Sequence, residues 1–335
     1  MASVRRTVEP VIRTRLYRDG RCIDENFDPA RISDHLEAGE GCLVWLDLES
    51  PKPEDFALIA EEFGLNPLAV EDATTGRQRP KLDHYDDHAF ISLYDVTLDI
   101  ETGQLRAHEL AVFAAKQYLI TVRKTPGYSI DPVVERWDDN QQLAKYGVGY
   151  LLWGLLDVVV DGHFQTVQQL DDQIETLEDL LFEPNDTGTR VQRQSYELRK
   201  SLVRIRRVVL PTREVLNSLM RRESDLVDQA LMPYYQDVYD HVLRAADWTD
   251  SLRDLVSTIL ETHLTIQGNR MNEIMKKVTS WAAIAAVPTV ITGYYGMNVL
   301  TYPHHDTNSG GYVALVLMIV FVALLYVMFR RRNWL

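Results

Sequence analysis

Two apolar runs near the C-terminal end place the strongest constraint on how this 335-residue chain can fold. Residues 278–295 and residues 312–329 each form a run of 18 residues without a charged side chain. As a helix, each run would be about 27 Å long, close to the roughly 30 Å thickness of a hydrocarbon core. Basic clusters closely flank both runs, which disfavours a pair of helices buried in a soluble core. We therefore predict two transmembrane helices.

The distribution of basic residues predicts how these helices are oriented. The loop between them, residues 299–311, contains no Lys or Arg, whereas both outer flanks are basic. Because positively charged flanks stay in the cytoplasm, both termini are predicted to be cytoplasmic and the loop to face outside. The flanking basic residues are Arg270, Lys276, Lys277, Arg330, Arg331 and Arg332.

The two spans differ in character. The second is uniformly bulky and aliphatic and can face lipid, whereas the first contains small and mildly polar residues and Pro288. Small residues allow close helix packing, and hydroxyl groups can line a hydrated path. Two helices cannot enclose a pore, so a channel would have to be an oligomer with the first span innermost. The small and polar residues are Thr279, Ser280, Ala282, Ala283, Ala285, Ala286, Thr289, Thr292 and Gly293.

The remainder of the chain predicts an α+β protein. Residues 1–145 are typical of a cytoplasmic α/β domain, with strands at 42–50, 88–99, 109–116 and 117–124 and a helix at 51–65. Residues 146–277 have helical periodicity and predict a helical hairpin (151–183 and 190–222) and a stalk helix that starts near Tyr234 and continues to Met297. The predicted segments that follow are transmembrane helix 278–298, external loop 299–311, transmembrane helix 312–329 and basic tail 330–335.

Composition and missing motifs exclude several functions. The net charge of −14 favours cations over nucleic acid as partners. The sequence lacks a Gly-Lys dipeptide and therefore a P-loop, which argues against a nucleotide-driven pump, and it lacks HExxH, CxxC and GxSxG motifs. The membrane potential alone supplies about 4.6 kcal/mol per 100 mV to a divalent ion. We therefore predict cation passage rather than an enzyme; a hydrolase built on Glu71 and Asp72 lacks further ligands nearby in sequence.

A Gly-Met-Asn triplet, Gly296–Met297–Asn298, ends the first span within the stretch NEIMKKVTSWAAIAAVPTVITGYYGMN. This stretch, together with WLDLESPKPEDF, FGLNPLAVEDA, RPKLDHYDDHAFI and LRKSLVRIRRVVLPTREVL, resembles the CorA-type magnesium/cobalt transporters. The resemblance implies a homopentamer in the plasma (inner) membrane, with the first span lining the pore. It also implies that Gly296, Met297 and Asn298 form an outer selectivity ring, which would hold hydrated Mg²⁺ through its waters.

The resemblance implies two further groups of functional residues. Cytoplasmic Mg²⁺ bound between subunits would hold the closed state, because close acids repel one another until a cation neutralises them. The matching regulatory residues are Asp72 and Asp237, with Glu71, Asp157 and His241 in an adjoining site. The matching pore-lining residues, on one helical stripe, are Asn272, Met275, Val278, Ala282, Ala286, Thr289 and Gly293.

The sequence departs from the family pattern near the outer end of the pore. The loop lacks the Met-Pro-Glu-Leu segment and contains His304 and His305, and Val287 stands where the family often has proline. We predict a channel for Mg²⁺ and Co²⁺ that is driven by the membrane potential and gated by cytoplasmic Mg²⁺, and these departures leave the physiological ion open among Mg²⁺, Co²⁺, Ni²⁺ and Zn²⁺. One alternative is a zinc transporter of the ZntB type, with or without proton coupling, although Met297 argues against that branch. Another is a membrane-anchored metal sensor without flux.

Overall fold

A computed structural model describes residues 11–37, 41–76, 78–181, 189–221, 226–297 and 308–335. The chain forms two compact units, an N-terminal unit, Met1–Ile259, and a C-terminal unit, Leu260–Leu335. The N-terminal unit contains a mixed sheet covered by helices, and the C-terminal unit contains the apolar helical segments.

A seven-stranded sheet with the order β2-β1-β3-β7-β6-β5-β4 forms the centre of the N-terminal unit. Its central strands β3 and β7 run parallel, and the other neighbouring pairs are antiparallel. The strands are β1 (Val11–Arg18), β2 (Arg21–Glu25), β3 (Cys42–Glu49), β4 (Lys81–His84), β5 (Ala89–Asp99), β6 (Gln104–Ala114) and β7 (Tyr118–Arg123).

Both faces of the sheet are buried, as the nearly continuous apolar sequence of β3 requires. Leu43 and Trp45 point into one core, and Val44 and Leu46 point into the other, because successive side chains of a strand alternate. The first core also contains residues of α4 (Asp131–Asp139), α5 (Val148–Leu180) and α6 (Thr189–Leu219). The second contains residues of α1 (Ile32–Glu37), α2 (Pro53–Glu62) and α3 (Pro67–Thr75).

A buried ion pair joins the two parallel strands. The guanidinium of Arg123 in β7 donates from Nη2 to Asp47 Oδ2 at 2.6 Å and from Nε to Asp47 Oδ1 at 3.2 Å. Thr121 also donates to Asp47, at 2.7 Å, and Arg123 donates to the carbonyl of Tyr128 at 2.7 Å. Both charged side chains are almost completely buried, so Asp47 depends on Arg123 for compensation, and Arg123 is also paired with Glu49 at 3.0 Å.

Two long helices end the chain. Helix α7 (Met232–Tyr295) runs for 64 residues, and α8 (Asn308–Arg331) for 24 residues. Both contain windows long and apolar enough to cross a membrane, and only 6% of each window is buried. Helix α8 ends in a Schellman motif: Trp334 N–H donates to Phe329 O at 2.9 Å, and Asn333 adopts positive φ. The Trp334 ring stacks on Phe329.

The predicted α+β class, the long helix and the two apolar C-terminal helices are confirmed, with shifts of a few residues at element ends. The helix predicted at 51–65 is shorter, because Pro53 begins α2 and Gly64 follows it with positive φ. Strands β1, β2 and β4 and helices α1, α3 and α4 were not predicted. Arg206 of α6 forms an ion pair with Asp250 of α7 at 2.7 Å, a contact between distant segments that the sequence does not predict.

A buried histidine predicts that the protein loses stability in mild acid. His163 of α5 is fully buried and donates from Nε2 to the carbonyl of Tyr94 at 2.7 Å, and its Nδ1 has no hydrogen-bond partner among the described residues. Burial lowers the pKa of His163 to about 4. Between the usual histidine pKa of about 6.5 and the lowered pKa in the folded protein, His163 is therefore protonated in the unfolded state but neutral in the folded state.

We expect the free energy of unfolding to fall by about 2 kcal/mol from this residue between pH 7 and pH 5. Denaturant unfolding of the wild type and of His163→Gln, compared at both pH values, measures this contribution. The variant should be less stable at pH 7 and should lose less stability on acidification. Equal losses in the two proteins would contradict the assignment.

Candidate functional site

The stripe predicted to line the pore occupies one exposed face of α7. Asn272, Met275, Val278, Ala282, Ala286, Thr289 and Gly293 are all exposed in the single chain. At 100° per residue, they lie within about one third of the helix circumference. The opposite face is buried or half-buried, at Ser280, Ala283, Ile284, Val287, Pro288, Ile291 and Tyr295. From Ser280 to Tyr295, the C-terminal unit thus covers one side of this helix and leaves the predicted stripe uncovered, whereas residues 271–279 are exposed all round the helix.

The hydroxyl groups of α7 bond back to the helix. Thr289 donates to Ala285 O at 3.3 Å, and Thr292 donates to Pro288 O at 2.8 Å. Each hydroxyl oxygen keeps lone pairs with which it can accept hydrogen bonds from water. Pro288 has no N–H group, so it cannot form the helical bond to the carbonyl of Ile284. The helix therefore has a polar stretch inside an apolar sequence.

The Gly-Met-Asn triplet begins where α7 ends. The N–H of Gly296 donates to Thr292 O at 2.9 Å, which extends the helical bonding by one residue. A Cβ at position 296 would lie 3.0 Å from that carbonyl oxygen, so a side chain would be crowded there. Met297 is exposed. Asn298, His304 and His305 lie outside the described residues.

Three of the predicted regulatory residues come together beside α5. Asp157 of α5 is buried, and burial raises the pKa of its carboxyl group to about 6. The nearby acids Asp161 and Asp237 also raise this pKa, whereas Arg136 and His241 lower it. His241 Nδ1 lies 3.7 Å from Asp161 Oδ1. Asp237 and His241 are one turn apart on α7, which brings them to the same side of that helix. The group of Asp157, Asp161, Asp237 and His241 is called the α5–α7 acidic cluster below.

The other two predicted regulatory residues lie on α3. Asp72 Oδ2 forms an ion pair with Lys81 Nζ at 2.6 Å, and its Oδ1 accepts from Gln78 at 2.9 Å. Lys124 Nζ approaches the backbone carbonyl of Asp72 at 3.4 Å. The Glu71 side chain is exposed. Asp72 therefore has a different set of neighbours from Asp237, with which the sequence resemblance had grouped it.

Neither set of acids is a complete metal centre in one chain. Among the described residues, no group of three or more His, Cys, Asp or Glu side chains is arranged to hold a metal ion. Mg²⁺ keeps several waters and is often bound through only one or two carboxylates. The α5–α7 acidic cluster fits that mode, because Asp157 and Asp161 lie close enough for one guanidinium to contact both.

That guanidinium belongs to Arg136 of α4, which sequence reasoning missed. Its Nη1 lies 2.7 Å from Asp157 Oδ2, and its Nη2 lies 3.0 Å from Asp161 Oδ2. Asp161 and Lys81 were also missed. Asp157 and Asp161 are four residues apart on one helix, and this spacing predicts that they share a helix face. The sequence contains no corresponding feature that predicts the contact of α4 with this face.

Comparisons with known proteins identify the family of the chain. The family model described as "CorA-like Mg2+ transporter protein" matches residues 40–331. The cobalt/magnesium transport protein CorA of Thermotoga maritima is 35% identical over 278 residues, which cover 83% of this chain and 79% of that protein. The zinc transport protein ZntB of Yersinia enterocolitica is a more distant relative, 24% identical over 281 residues that cover 84% of each protein.

The fold also matches a solved structure of a full-length protein. The complete structure of the CorA magnesium transporter from Methanocaldococcus jannaschii aligns with a TM-score of 0.77 at 22% identity, over 100% of both chains. The family match defines a divalent-cation transporter class, whose members are transporters rather than enzymes, and the two apolar helices fit a membrane protein. The chain belongs to the CorA-like Mg²⁺ transporter family, as the resemblance of its sequence indicated.

The two faces of α7 make a prediction about water accessibility in the assembled protein. Ala282 lies on the exposed stripe, whereas its neighbour Ala283 lies on the half-buried face. In a background without Cys22 and Cys42, a cationic methanethiosulfonate reagent should modify Ala282→Cys much faster than the matched control Ala283→Cys. The rate of loss of free thiol in membranes is the measurement. Equal rates, or faster reaction at position 283, would contradict a pore on this face.

Proposed function

We propose that the chain forms a channel for Mg²⁺ and Co²⁺, driven by the membrane potential and gated by Mg²⁺ on its cytoplasmic side. The channel is a homopentamer with α7 innermost, both termini in the cytoplasm of a plasma (inner) membrane, and the Gly-Met-Asn triplet as the outer selectivity ring. The observation that carries the proposal is the uncovered stripe of α7 between residues 280 and 295, because one helix face is left for the central axis while the opposite face is half-buried.

Ion passage along this stripe follows from its side chains. Asn272 and the Asn298 amide provide polar rings at its inner and outer ends, whereas Met275 and Val278 form an apolar constriction between them. Such a constriction blocks ions when it is narrow and dry, and conducts when a small widening admits water. Mg²⁺ is both the transported and the regulatory ion, no nucleotide takes part, and the membrane potential supplies the driving force.

Gating follows from differential affinity for the regulatory ion. Acids that approach one another across subunits repel until a cation joins them, so bound Mg²⁺ stabilises the closed arrangement. Asp72, Asp237, Glu71, Asp157 and His241 are the proposed ligands. Asp157 is suited to this role because its buried carboxylate stands beside two other acids, which disfavour its charge until a cation arrives.

The identity of the ion rests on family relationships rather than on the geometry of a site. The cobalt/magnesium transporter of Thermotoga maritima is the nearer relative in identity, and Met297 retains the Gly-Met-Asn form. We therefore favour Mg²⁺ and Co²⁺ over Zn²⁺.

The selectivity assignment is tested by Asn298→Ala in proteoliposomes. Removing the amide should abolish potential-driven Mg²⁺ uptake, because the hydrated ion loses hydrogen-bond partners at the filter. Asn308→Ala, at the start of α8, is the matched control and should retain uptake. Size-exclusion chromatography should show both variants assembled as the wild type. Undiminished Mg²⁺ uptake in Asn298→Ala would remove Asn298 from the filter.

The gating assignment is tested by Asp72→Lys combined with Asp237→Lys. Each substitution removes a carboxylate ligand and adds a charge that repels Mg²⁺, so Mg²⁺ inside the vesicle should inhibit uptake less. Glu62→Lys, an exposed acid at the end of α2, is the control for added charge. The measurement is uptake rate against internal Mg²⁺. An inhibition midpoint equal to that of the wild type would refute the regulatory role of the pair.

A further inference from the structure

Arg136 occupies the space between two acids of the α5–α7 acidic cluster. It contacts Asp157 at 2.7 Å and Asp161 at 3.0 Å with the two terminal nitrogens of one guanidinium. The neighbouring residue, Trp137, is fully buried, packs edge-on against Trp45, and donates from Nε1 to Leu151 O at 3.0 Å. Gly154 allows this approach, because a Cβ there would lie 2.5 Å from the Trp137 ring. The backbone that carries Arg136 is thus held in place.

The side chain of Arg136 is held much less firmly than its backbone. It remains 37% exposed, whereas Arg123, in the pair with Asp47, is 3% exposed. Arg123 makes two directed hydrogen bonds to its carboxylate. Arg136 donates a directed hydrogen bond from Nη2 to Asp161 Oδ2 at 3.0 Å. By contrast, the buried Asp157 Oδ2 has no directed hydrogen bond within the described part of the chain, although Arg136 lies beside it. The contact between Arg136 and Asp157 is therefore chiefly electrostatic, and solvent can reach the guanidinium when it leaves.

We propose that Arg136 is a built-in counter-ion of the α5–α7 acidic cluster, which a divalent cation displaces from Asp157 and Asp161 when it binds there. Arg136 thereby sets the Mg²⁺ concentration at which the regulatory site fills. This inference rests on the proposed regulatory role of Asp157, Asp237 and His241, and it adds to that role a residue that competes with the ion.

The charges explain why the two cations exchange. Asp157, Asp161 and Asp237 together outnumber Arg136, so the cluster remains negative with the arginine in place and attracts a divalent ion. A hydrated Mg²⁺ brings twice the charge of a guanidinium and can reach both carboxylates through its waters. Arg136 then moves into solvent, where its charge costs little because the side chain is already partly exposed.

The test uses the full-length protein in detergent, stripped of metal and titrated with Mg²⁺ at constant ionic strength. The readout is the Mg²⁺ concentration that gives half of the maximal rise in thermal unfolding midpoint. Arg136→Gln should lower the unfolding midpoint of the metal-free protein and lower the half-saturating Mg²⁺ concentration by about tenfold. Arg136→Lys keeps the charge but cannot contact both carboxylates in the same planar geometry, so its half-saturating concentration should lie between the other two.

Arg15→Gln is the matched control, because Arg15 also joins two acids, Glu25 at 2.9 Å and Asp138 at 2.8 Å. It should lose stability without shifting the half-saturating concentration. The same outcome in Arg136→Gln would make Arg136 merely structural and would overturn the inference while leaving the regulatory site intact. If Arg136→Gln does not fold, an unshifted or raised value in Arg136→Lys overturns it equally. A wild type without saturable Mg²⁺ stabilisation would overturn both the regulatory site and this inference.

Discussion

The buried ion pair between Asp47 and Arg123 is the interaction on which the arrangement of the N-terminal unit depends. It links β3 to β7, the parallel pair at the centre of the sheet, where a register slip would bury one charge without the other. Arg123 also binds the carbonyl of Tyr128, which fixes the segment leading into α4. The pair therefore determines both the order of the central strands and the position of the helix that follows them.

From α4, the same constraint extends to the acidic cluster. The Trp137 side chain anchors α4 against β3 and α5, and α5 presents Asp157 and Asp161 toward the next residue back, Arg136. Two arginines thus serve two purposes within one unit. Arg123 is almost fully buried between Asp47 and Glu49, whereas Arg136 is partly exposed beside Asp157 and Asp161. The difference in exposure, rather than in chemistry, separates a structural pair from an exchangeable one.

The sequence predicted the long helices well because their signals are local. Unbroken helical periodicity led to α5, α6 and α7, and charge-free runs marked the apolar ends. Strands β1 and β2 were not predicted because polar and basic residues, such as Arg13, Arg15 and Arg21, interrupt their apolar pattern. The stripe on α7 followed from spacing together with family resemblance. Arg136 could not be found this way, since its partners are more than twenty residues distant and its contact depends on how α4 packs against α5.

Pro288 leaves one backbone carbonyl in the apolar part of α7 without its helical hydrogen-bond donor, and infrared spectroscopy can detect such a carbonyl. The carbonyl of Ile284 lacks the N–H partner that position 288 would otherwise supply, so it is a hydrogen-bond acceptor left open by the helix. A carbonyl without a donor vibrates at higher frequency than one with a donor. An isotope label on the backbone carbonyl of Ile284 would therefore give a separate infrared band. The frequency of this band would be lower when water donates a hydrogen bond to the carbonyl, and it would thus report whether water is present inside the apolar segment.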